Sequence, residues 1–228
     1  MTPPRDALSH DRVLQAALAL ADAHGLESLS MRRLGTELGV EAMSLYRHVP
    51  SKDALLDAMV DAIVQGWVEV SASENDDWRD RLGAIMHRAH RAMLERPWSV
   101  ELVALRPRVG DGRLRYAESV TTALLDAGFT PQLAHHGLHI VDGTIMGFTA
   151  QQARRPTAAA LGEKVHALYE GSLVDEYPGI SRTILEHHDH DEEYALMVDL
   201  VLDGLARLRD GSPPPRTGSG ANYVLAVA

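Results

Sequence analysis

Apolar residues recur along most of this chain at three- and four-residue intervals, which is the periodicity of one helix face. Val13, Ala17 and Leu20 share such a face near the N-terminus. Ser9 precedes them as a potential cap, and Gly25 follows where a helix can end in a left-handed turn. No segment alternates apolar and polar residues as a half-buried strand does, so the pattern predicts an all-α fold.

The next segment predicts two short helices joined by a glycine turn. Ser30 is placed to cap a helix over 31–38, and Gly39 is placed to end it. A third helix is predicted over about 41–48, because Pro50 lacks an amide hydrogen and disfavours helix in the residue before it. This arrangement is typical of a helix-turn-helix, in which the second helix enters the major groove of DNA.

Longer helices are predicted for most of the remaining chain. Ser51 can cap a fourth helix whose apolar stripe extends to Trp67. Seven more are predicted over residues 77–95, 98–106, 111–127, 131–153, 157–175, 180–188 and 191–209. The helices over 131–153 and 191–209 are the longest apolar ones of this half, and we expect part of their surface to be buried against a second copy of the chain.

Composition narrows the class of protein. Apolar residues make up 45% and charged residues 24% of the chain, which is ordinary for a folded, soluble protein. There is no cysteine, which excludes a disulfide framework, a thiolate metal site and a cysteine nucleophile. The N-terminus lacks the apolar stretch of a signal peptide and no segment approaches membrane-spanning length, so we expect a cytoplasmic protein without a membrane partner.

Charge is distributed unevenly along the chain. Of the surplus of ten negative charges, all but one lie after residue 55, because residues 1–55 contain six basic and seven acidic residues. This asymmetry favours two modules with different partners. We place a helix-turn-helix domain at 1–55 and a larger helical domain at 56–209. Residues 210–228, rich in Gly, Ser and Pro, have the composition of a flexible tail.

Residues 12–59 resemble the DNA-binding domain of the tetracycline-repressor (TetR/AcrR) family of bacterial transcriptional regulators. The most specific part is Leu-Tyr-Arg-His-Val at 45–49, followed by Lys-Asp-Ala-Leu-Leu at 52–56. The run Asp-Gly-x-x-x-Gly-Phe-x-x-x-Gln at 142–152 resembles the branch nearest the tetracycline repressor itself. The resemblance implies a helical C-terminal domain that binds a small-molecule effector and forms a homodimer.

The resemblance and the solvent-facing side of the third helix together give the candidate DNA contacts Arg32, Ala42, Met43, Ser44, Tyr46, Arg47, His48 and Lys52. The resemblance implies base contacts from Arg32 and from the variable positions 42–44, and phosphate contacts from Tyr46, His48 and Lys52. An arginine can present two donors to a guanine edge, and a lysine at a helix N-terminus adds charge where backbone amides also face an anion. Taken singly, the basic residues also fit an ordinary solvated face.

Two residues depart from the family pattern in this region. Met43 stands where a glycine, a proline or another small residue is frequent, and Gly35 stands where a helix-favouring alanine is usual. The operator sequence therefore does not follow from any relative.

The resemblance also implies that the helices over 77–153 enclose the effector cavity. Residues that would line it are Met86, His90, Leu102, Leu105, Tyr116, His139, Met146, Thr149 and Gln152. Such a lining suits a mid-sized, mainly apolar molecule held by a few fixed polar groups. The alternative for each of these residues is plain helix core or a satisfied interior histidine.

Histidines give a further alternative, since pairs three or four residues apart share a helix face and can bind a metal. Eight of the twelve lie in groups: His87, His90, His135, His136, His139, His187, His188 and His190. A metal-responsive regulator therefore stays open. A helical-bundle metalloenzyme would need paired Glu-x-x-His motifs, and only Glu163 and His166 form one.

The leading hypothesis is a homodimeric repressor that binds a pseudo-palindromic DNA operator and is released from it by a small molecule. The sequence contains no nucleophile beside a base and no phosphate-binding glycine loop. We therefore expect neither enzymatic activity nor a cofactor, and we assign no metal ligands.

Overall fold

A computed structural model describes residues 7–68, 77–106, 108–154, 162–183 and 189–211. Within these ranges the regular structure is helical and contains no strand, which confirms the predicted all-α fold. The helices are α1 (His10–His24), α2 (Met31–Leu38), α3 (Ala42–Leu45), α4 (Lys52–Gln65), α5 (Trp78–Glu95), α6 (Pro97–Leu105), α7 (Asp111–Asp126), α8 (Pro131–Ala153), α9 (Glu163–Tyr169), α10 (Pro178–Thr183) and α11 (His190–Arg209). No helix in the described part of the chain is both long and apolar enough to span a bilayer.

Side-chain caps fix where several helices begin. The hydroxyl of Ser9 accepts a hydrogen bond from the amide of Arg12 at 3.2 Å, and the hydroxyl of Ser51 accepts one from Ala54 at 3.0 Å. Ser30 caps α2 in the same way. Each bond satisfies an amide that the first turn of a helix leaves without a partner.

Three predicted helices have different bounds in the structure. The third was expected over 41–48, but α3 ends at Leu45, because the amides of His48 and Val49 both donate to the carbonyl of Leu45 and tighten the chain into a turn. The helix expected over 157–175 ends at Tyr169, where Gly171 follows with a φ of 75°. Residues 157–161 lie outside the described ranges.

The segment expected to be helical over 180–188 starts two residues earlier, at Pro178, because proline fits the first turn of a helix. Its described part ends at Thr183, and residues 184–188 lie outside the described ranges. The tail from residue 212 onward also lies outside them.

Helix α4 joins the two predicted modules. It packs against α1 on the N-terminal side and against α6 and α7 on the other. Leu55 and Met59 are fully buried in a core that continues from the first three helices into α5, α7, α8 and α11. One continuous core therefore runs across the predicted boundary at residue 55.

The backbones of α4 and α7 touch at a pair of residues. A Cβ atom added to Gly112 would lie 2.1 Å from the carbonyl oxygen of Asp61. The carboxylate of Asp61 also accepts a hydrogen bond from the amide of Arg113 at 3.2 Å, which satisfies a donor in the first turn of α7. Only glycine fits at 112 without moving one of the two helices.

Helix α6 is tied to the N-terminal domain at both of its ends. At its start, the Nε atoms of Arg96 and Trp98 both donate to the carboxylate of Asp22 on α1, at 3.0 Å. At its end, the guanidinium of Arg106 contacts Asp53 at 2.6 Å and Asp57 at 2.8 Å, both on α4. These contacts orient the first four helices on the rest of the chain.

A polar and aromatic cluster is buried where α5, α8 and α11 meet. The Nδ1 atom of His90 lies 2.8 Å from the hydroxyl of Thr149, and its ring stacks on that of Tyr194 with centroids 3.7 Å apart. The phenol of Tyr194 donates to the carbonyl of Met86 at 3.0 Å. Burial lowers the pKa of His90 below its ordinary value of 6.5.

We expect Gly112→Ala to lower the free energy of unfolding by about 2 kcal/mol, because the new methyl group collides with the backbone of α4. Gly83→Ala is a matched control, since its Cβ would lie 3.8 Å from Leu202 in ordinary contact. In α5 that change should add up to ~1 kcal/mol through helix propensity. Thermal unfolding at one fixed protein concentration measures both, and equal shifts would contradict the contact.

We expect the protein to lose stability as the pH falls below about 6.5, because the unfolded chain then binds a proton that the buried imidazole of His90 resists. The loss should continue until the pH reaches the lowered pKa of the folded state. His90→Gln should flatten this dependence, whereas His24→Gln, at an exposed position in α1, should keep the wild-type slope. Melting temperatures between pH 5 and pH 8 test this, and identical slopes in all three proteins would contradict it.

Candidate DNA-binding surface and ligand cavity

The region of α2, α3 and the start of α4 has one buried side and one solvent side. Leu34 and Leu45 are fully buried, and Val49 is nearly so. The eight predicted DNA contacts all reach solvent, either exposed (Arg32, Met43, Tyr46, Arg47 and Lys52) or half-buried (Ala42, Ser44 and His48). The same chain leaves 72% of Met43 and 41% of Tyr46 exposed, so both are accessible to a partner.

The turn between α2 and α3 depends on two glycines. Gly39 has a φ of 67° and a ψ of 35°, the left-handed conformation predicted for it. At Gly35 an added Cβ would lie 2.8 Å from the carbonyl oxygen of Val40 and 3.2 Å from the amide of Ala42. The departure from alanine at Gly35 thus allows the backbone after the turn to lie unusually close to α2.

The start of α4 attracts an anion more strongly than its sequence, in which Asp53 follows Lys52, would suggest. Lys52 is the first residue of this 14-residue helix and is exposed, so its charge adds to the positive end of the helix dipole. The neighbouring Asp53 is paired with Arg106, which offsets its negative charge. Sequence reasoning missed this pairing because Arg106 follows 53 residues later.

The nine predicted ligand-binding residues do not form a single site. Tyr116 and Met146 line one cavity of about 310 Å³ between α4, α7 and α8. Leu102 and Leu105 border an open groove beside α1 and α4, where Leu105 is 70% exposed. Gln152 lines a cavity of about 180 Å³ together with Phe148, near the start of α11.

Four of the predicted ligand residues lie elsewhere. Met86, His90 and Thr149 belong to the buried cluster between α5, α8 and α11. His139 is exposed on α8, where its ring lies 4.6 Å from that of His135. The family resemblance grouped these residues with Tyr116 and Met146, whereas the packing of α5 and α8 places them in different surroundings.

The cavity containing Tyr116 has apolar walls and a concentrated polar centre. Its apolar lining includes Val64, Trp67, Val103, Leu114, Leu138 and Met146. The phenol of Tyr116 donates to the carboxylate of Asp142 at 2.6 Å, and the rings of Tyr116 and Trp67 meet edge to face at 5.5 Å. Burial raises the pKa of Asp142 and that of the Tyr116 phenol.

Sequence reasoning missed Trp67, Arg113 and Asp142 as cavity residues. A signal was available for Asp142, which is the first residue of the 142–152 motif and lies one helical turn before Met146. No comparable signal marked Arg113, because its position depends on the contact between α4 and α7.

The outer faces of α8 and α11 carry apolar surface that the chain itself does not cover. On α11 Leu196 is 61% and Leu200 60% exposed, and on α8 Ile140 is 39% exposed. Cβ atoms added to Gly143 and Gly147 would meet nothing within 4 Å. Val141, Ile145 and Leu205, which the sequence placed on the same apolar helices, pack inside the chain instead.

The histidine groups do not converge in the described part of the chain. No three His, Asp or Glu side chains there are arranged to hold a metal ion. His135 and His136 are exposed on α8, and His187 and His188 lie outside the described ranges.

Two family models match this chain and together cover most of it. Residues 13–59 match the model described as bacterial regulatory proteins, tetR family. Residues 71–209 match the model described as tetracyclin repressor-like, C-terminal domain. The first match ends within α4, at residue 59, and the second begins at residue 71.

Similar proteins occur in species of Streptomyces and Saccharopolyspora. The chain is 35% identical to the HTH-type transcriptional repressor DrrR1 of Streptomyces coeruleorubidus, over 89% of this chain and 78% of that protein. It is 39% identical to an HTH-type transcriptional regulator of Saccharopolyspora erythraea, over 82% of each. Its fold is similar to that of the TetR family protein ActR of Streptomyces coelicolor in complex with (S)-DNPA, with a TM-score of 0.71, 27% identity and coverage of 87% of this chain and 97% of that chain.

Proposed function

The chain belongs to the TetR family of bacterial transcriptional regulators, and on that premise we propose that it acts as a homodimeric repressor which a small molecule releases from its operator. The observation that carries this proposal is the accessible outer side of α3 between a glycine turn and a capped α4. We place its action in the bacterial cytoplasm, and we propose neither a catalytic role nor a cofactor.

Operator contact divides into base reading and phosphate binding. We assign base reading to Arg32 and to residues 42–44, because a guanidinium and a hydroxyl can distinguish the donors and acceptors of base edges. Tyr46 and Lys52 are assigned to phosphates, since an exposed phenol and an ammonium at a helix N-terminus bind an anion whatever the base. Arg47 and His48 complete the surface on the same turn.

We assign the homodimer interface to the uncovered faces of α8 and α11. In a monomer the apolar side chains of Leu196 and Leu200 would be exposed to water, which is energetically unfavourable. Gly143 and Gly147 lack side chains and would allow a partner helix to approach α8 closely. Operator binding would require this twofold interface to hold two copies of α3 about 34 Å apart, which is one turn of duplex DNA.

Helix α4 supplies the connection between effector and operator. Lys52 lies at its first turn, and Val64 at its last turn lines the 310 Å³ cavity. The 14 residues of α4 span about 21 Å, so a small tilt at the cavity end moves the DNA-binding end. A ligand that binds the tilted state more tightly would weaken operator binding by the same factor.

A gel-shift titration of the purified protein against DNA flanking its own gene tests the function directly. We expect a shifted complex that weakens steeply as the salt concentration rises, because phosphate contacts release counterions. An affinity that does not change with salt concentration, or no binding to any flanking segment, would overturn the proposal.

We expect Lys52→Ala to weaken binding to all DNA sequences alike, because it removes a phosphate contact. Arg32→Ala and Ser44→Ala should instead change the preference among operator variants, by about 1–3 kcal/mol at the base pair that each side chain reads. Competition gel shifts with single-base operator variants measure both effects. A uniform loss from all three substitutions would refute the division into base readers and phosphate binders.

We expect Leu200→Asp to dissociate the dimer and abolish operator binding, because it places a charge at the centre of an apolar interface. Leu125→Asp is the matched control, since Leu125 is 45% exposed at the end of α7, away from the proposed interface. Sedimentation velocity gives the oligomeric state of each variant. A Leu200→Asp protein that remains a dimer would show that the interface lies elsewhere.

A further inference from the structure

We propose that the cavity between α4, α7 and α8 selects an organic cation, whose ammonium group binds the carboxylate of Asp142 beside Tyr116. This inference rests on the proposed function, because it assigns a chemical class to the effector of that regulator. It concerns recognition by charge, which neither the fold nor the family assignment determines.

Asp142 is a carboxylate without a cationic partner. The described residues supply it with one hydrogen bond, from the phenol of Tyr116 at 2.6 Å, and with no ion pair. The charged or titratable groups nearest to it are Tyr116 and Arg113 on α7 and His139 on α8. A carboxylate in apolar surroundings is costly unless a positive charge approaches it, so an incoming ammonium group would be stabilised there.

Arg113 forms no ion pair with Asp142, although its positive charge acts to lower the pKa of that carboxyl group against the effect of burial. Its Nη2 atom donates to the carbonyl of Val103 at 2.8 Å and to that of Arg106 at 3.0 Å. The guanidinium is thereby held at the C-terminal end of α6, where the helix dipole and the free carbonyls favour a cation. Asp142 therefore has no ion pair with this guanidinium that a ligand would have to displace.

The walls of the cavity suit the body of such a ligand. Trp67 and Tyr116 meet edge to face, and aromatic rings of this kind attract a nearby ammonium group through their quadrupoles. The indole N–H of Trp67 is buried and has no acceptor among the described residues, so an oxygen on the ligand would satisfy it. A volume of about 310 Å³ admits a molecule of two or three rings.

The net negative charge of the C-terminal part of the chain also favours a cationic ligand. All but one of the ten surplus negative charges follow residue 55, so this part of the chain concentrates cations from solution and repels anions. An anionic ligand would have to approach through that field and then face Asp142.

The competing interpretation is that the hydrogen bond between Asp142 and Tyr116 only holds α7 and α8 together and has no role in ligand binding.

Three fluorescent probes with the same dansyl group separate these interpretations. Dansylcadaverine carries an ammonium group, its N-acetyl derivative is neutral, and dansyl-6-aminohexanoate carries a carboxylate. We expect full-length protein to bind the cation at least tenfold more tightly than either of the others at pH 7.5, measured by fluorescence titration. Equal binding of the cation and the neutral probe, preference for the anion, or no binding of any probe would overturn the inference.

Two substitutions test whether the preference for the cationic probe depends on Asp142. Asp142→Asn keeps the shape and an acceptor for Tyr116, and it should remove the tenfold preference while leaving the neutral probe unaffected. Asp126→Asn removes the same charge from an exposed position at the end of α7 and should retain the preference. If both substitutions act equally, the overall field and not Asp142 causes the selection, and the inference is wrong.

The gel shift keeps the two proposals distinguishable. A protein that binds its operator but lacks the cation preference retains the proposed function and loses only this inference. A protein that binds the cation without binding DNA loses the proposed function instead.

Discussion

The close contact between α4 and the first turn of α7 is the constraint on which the rest of this structure depends. Gly112 permits backbone approach to Asp61, and that carboxylate in turn satisfies an amide of α7. Backbone contacts of this kind are not replaced by a rotamer change, so α4 and α7 behave as one unit. This pair of helices connects the C-terminal cavity to the candidate DNA-binding surface, and the contacts of α6 with α1 and α4 add a second connection.

The ion pairs beside that contact contribute more to the relative orientation of the helices than to the free energy of folding. Asp53, Asp57 and Asp61 recur every four residues along α4 and face the segment from Arg106 to Arg113. Exposed pairs contribute little free energy each, since water screens them. Their geometry still matters, because a tilt of α4 must break or stretch them together. The tie between Asp22 on α1 and Arg96 at the start of α6 limits the same movement from the opposite end.

Local structure followed from the sequence, whereas the surroundings of the predicted ligand residues did not, for one physical reason. Ser30, Gly39 and Ser51 act on amides within three residues of themselves, so their effects could be read directly from the chain. The family resemblance assigned Tyr116 and His90 to one cavity, yet the structure places them in different surroundings. Spacing gives the face of a residue on its own helix, whereas a cavity depends on how several helices rotate against each other.

The solvent exposure of the predicted DNA contacts agrees with the sequence pattern, although α3 is shorter than the helix expected over 41–48. Between Gly39 and Pro50 only Leu45 and Val49 are buried, so residues 42–44 and 46–48 all reach solvent. Apolar spacing indicated the helices of the proposed dimer surface but not which of their residues form it, since Leu200 is uncovered while Leu205 on the same helix packs inside. Apolar spacing marked both residues alike, and only the packing of α11 against α8 separates them.

The proposed effector needs only a modest difference in binding free energy between the two states of the regulator, and contacts in the cavity can supply a difference of that size. A hundredfold loss of operator affinity requires the ligand to favour the released state by about 2.8 kcal/mol. One ammonium–carboxylate contact in partly apolar surroundings, with an aromatic face beside it, supplies energy of that order. The contact acts allosterically only if it differs between the two positions of α4. Trp67 and Val64 lie at the end of α4 and line the same cavity as Asp142, so any movement of α4 changes the walls that hold the ligand.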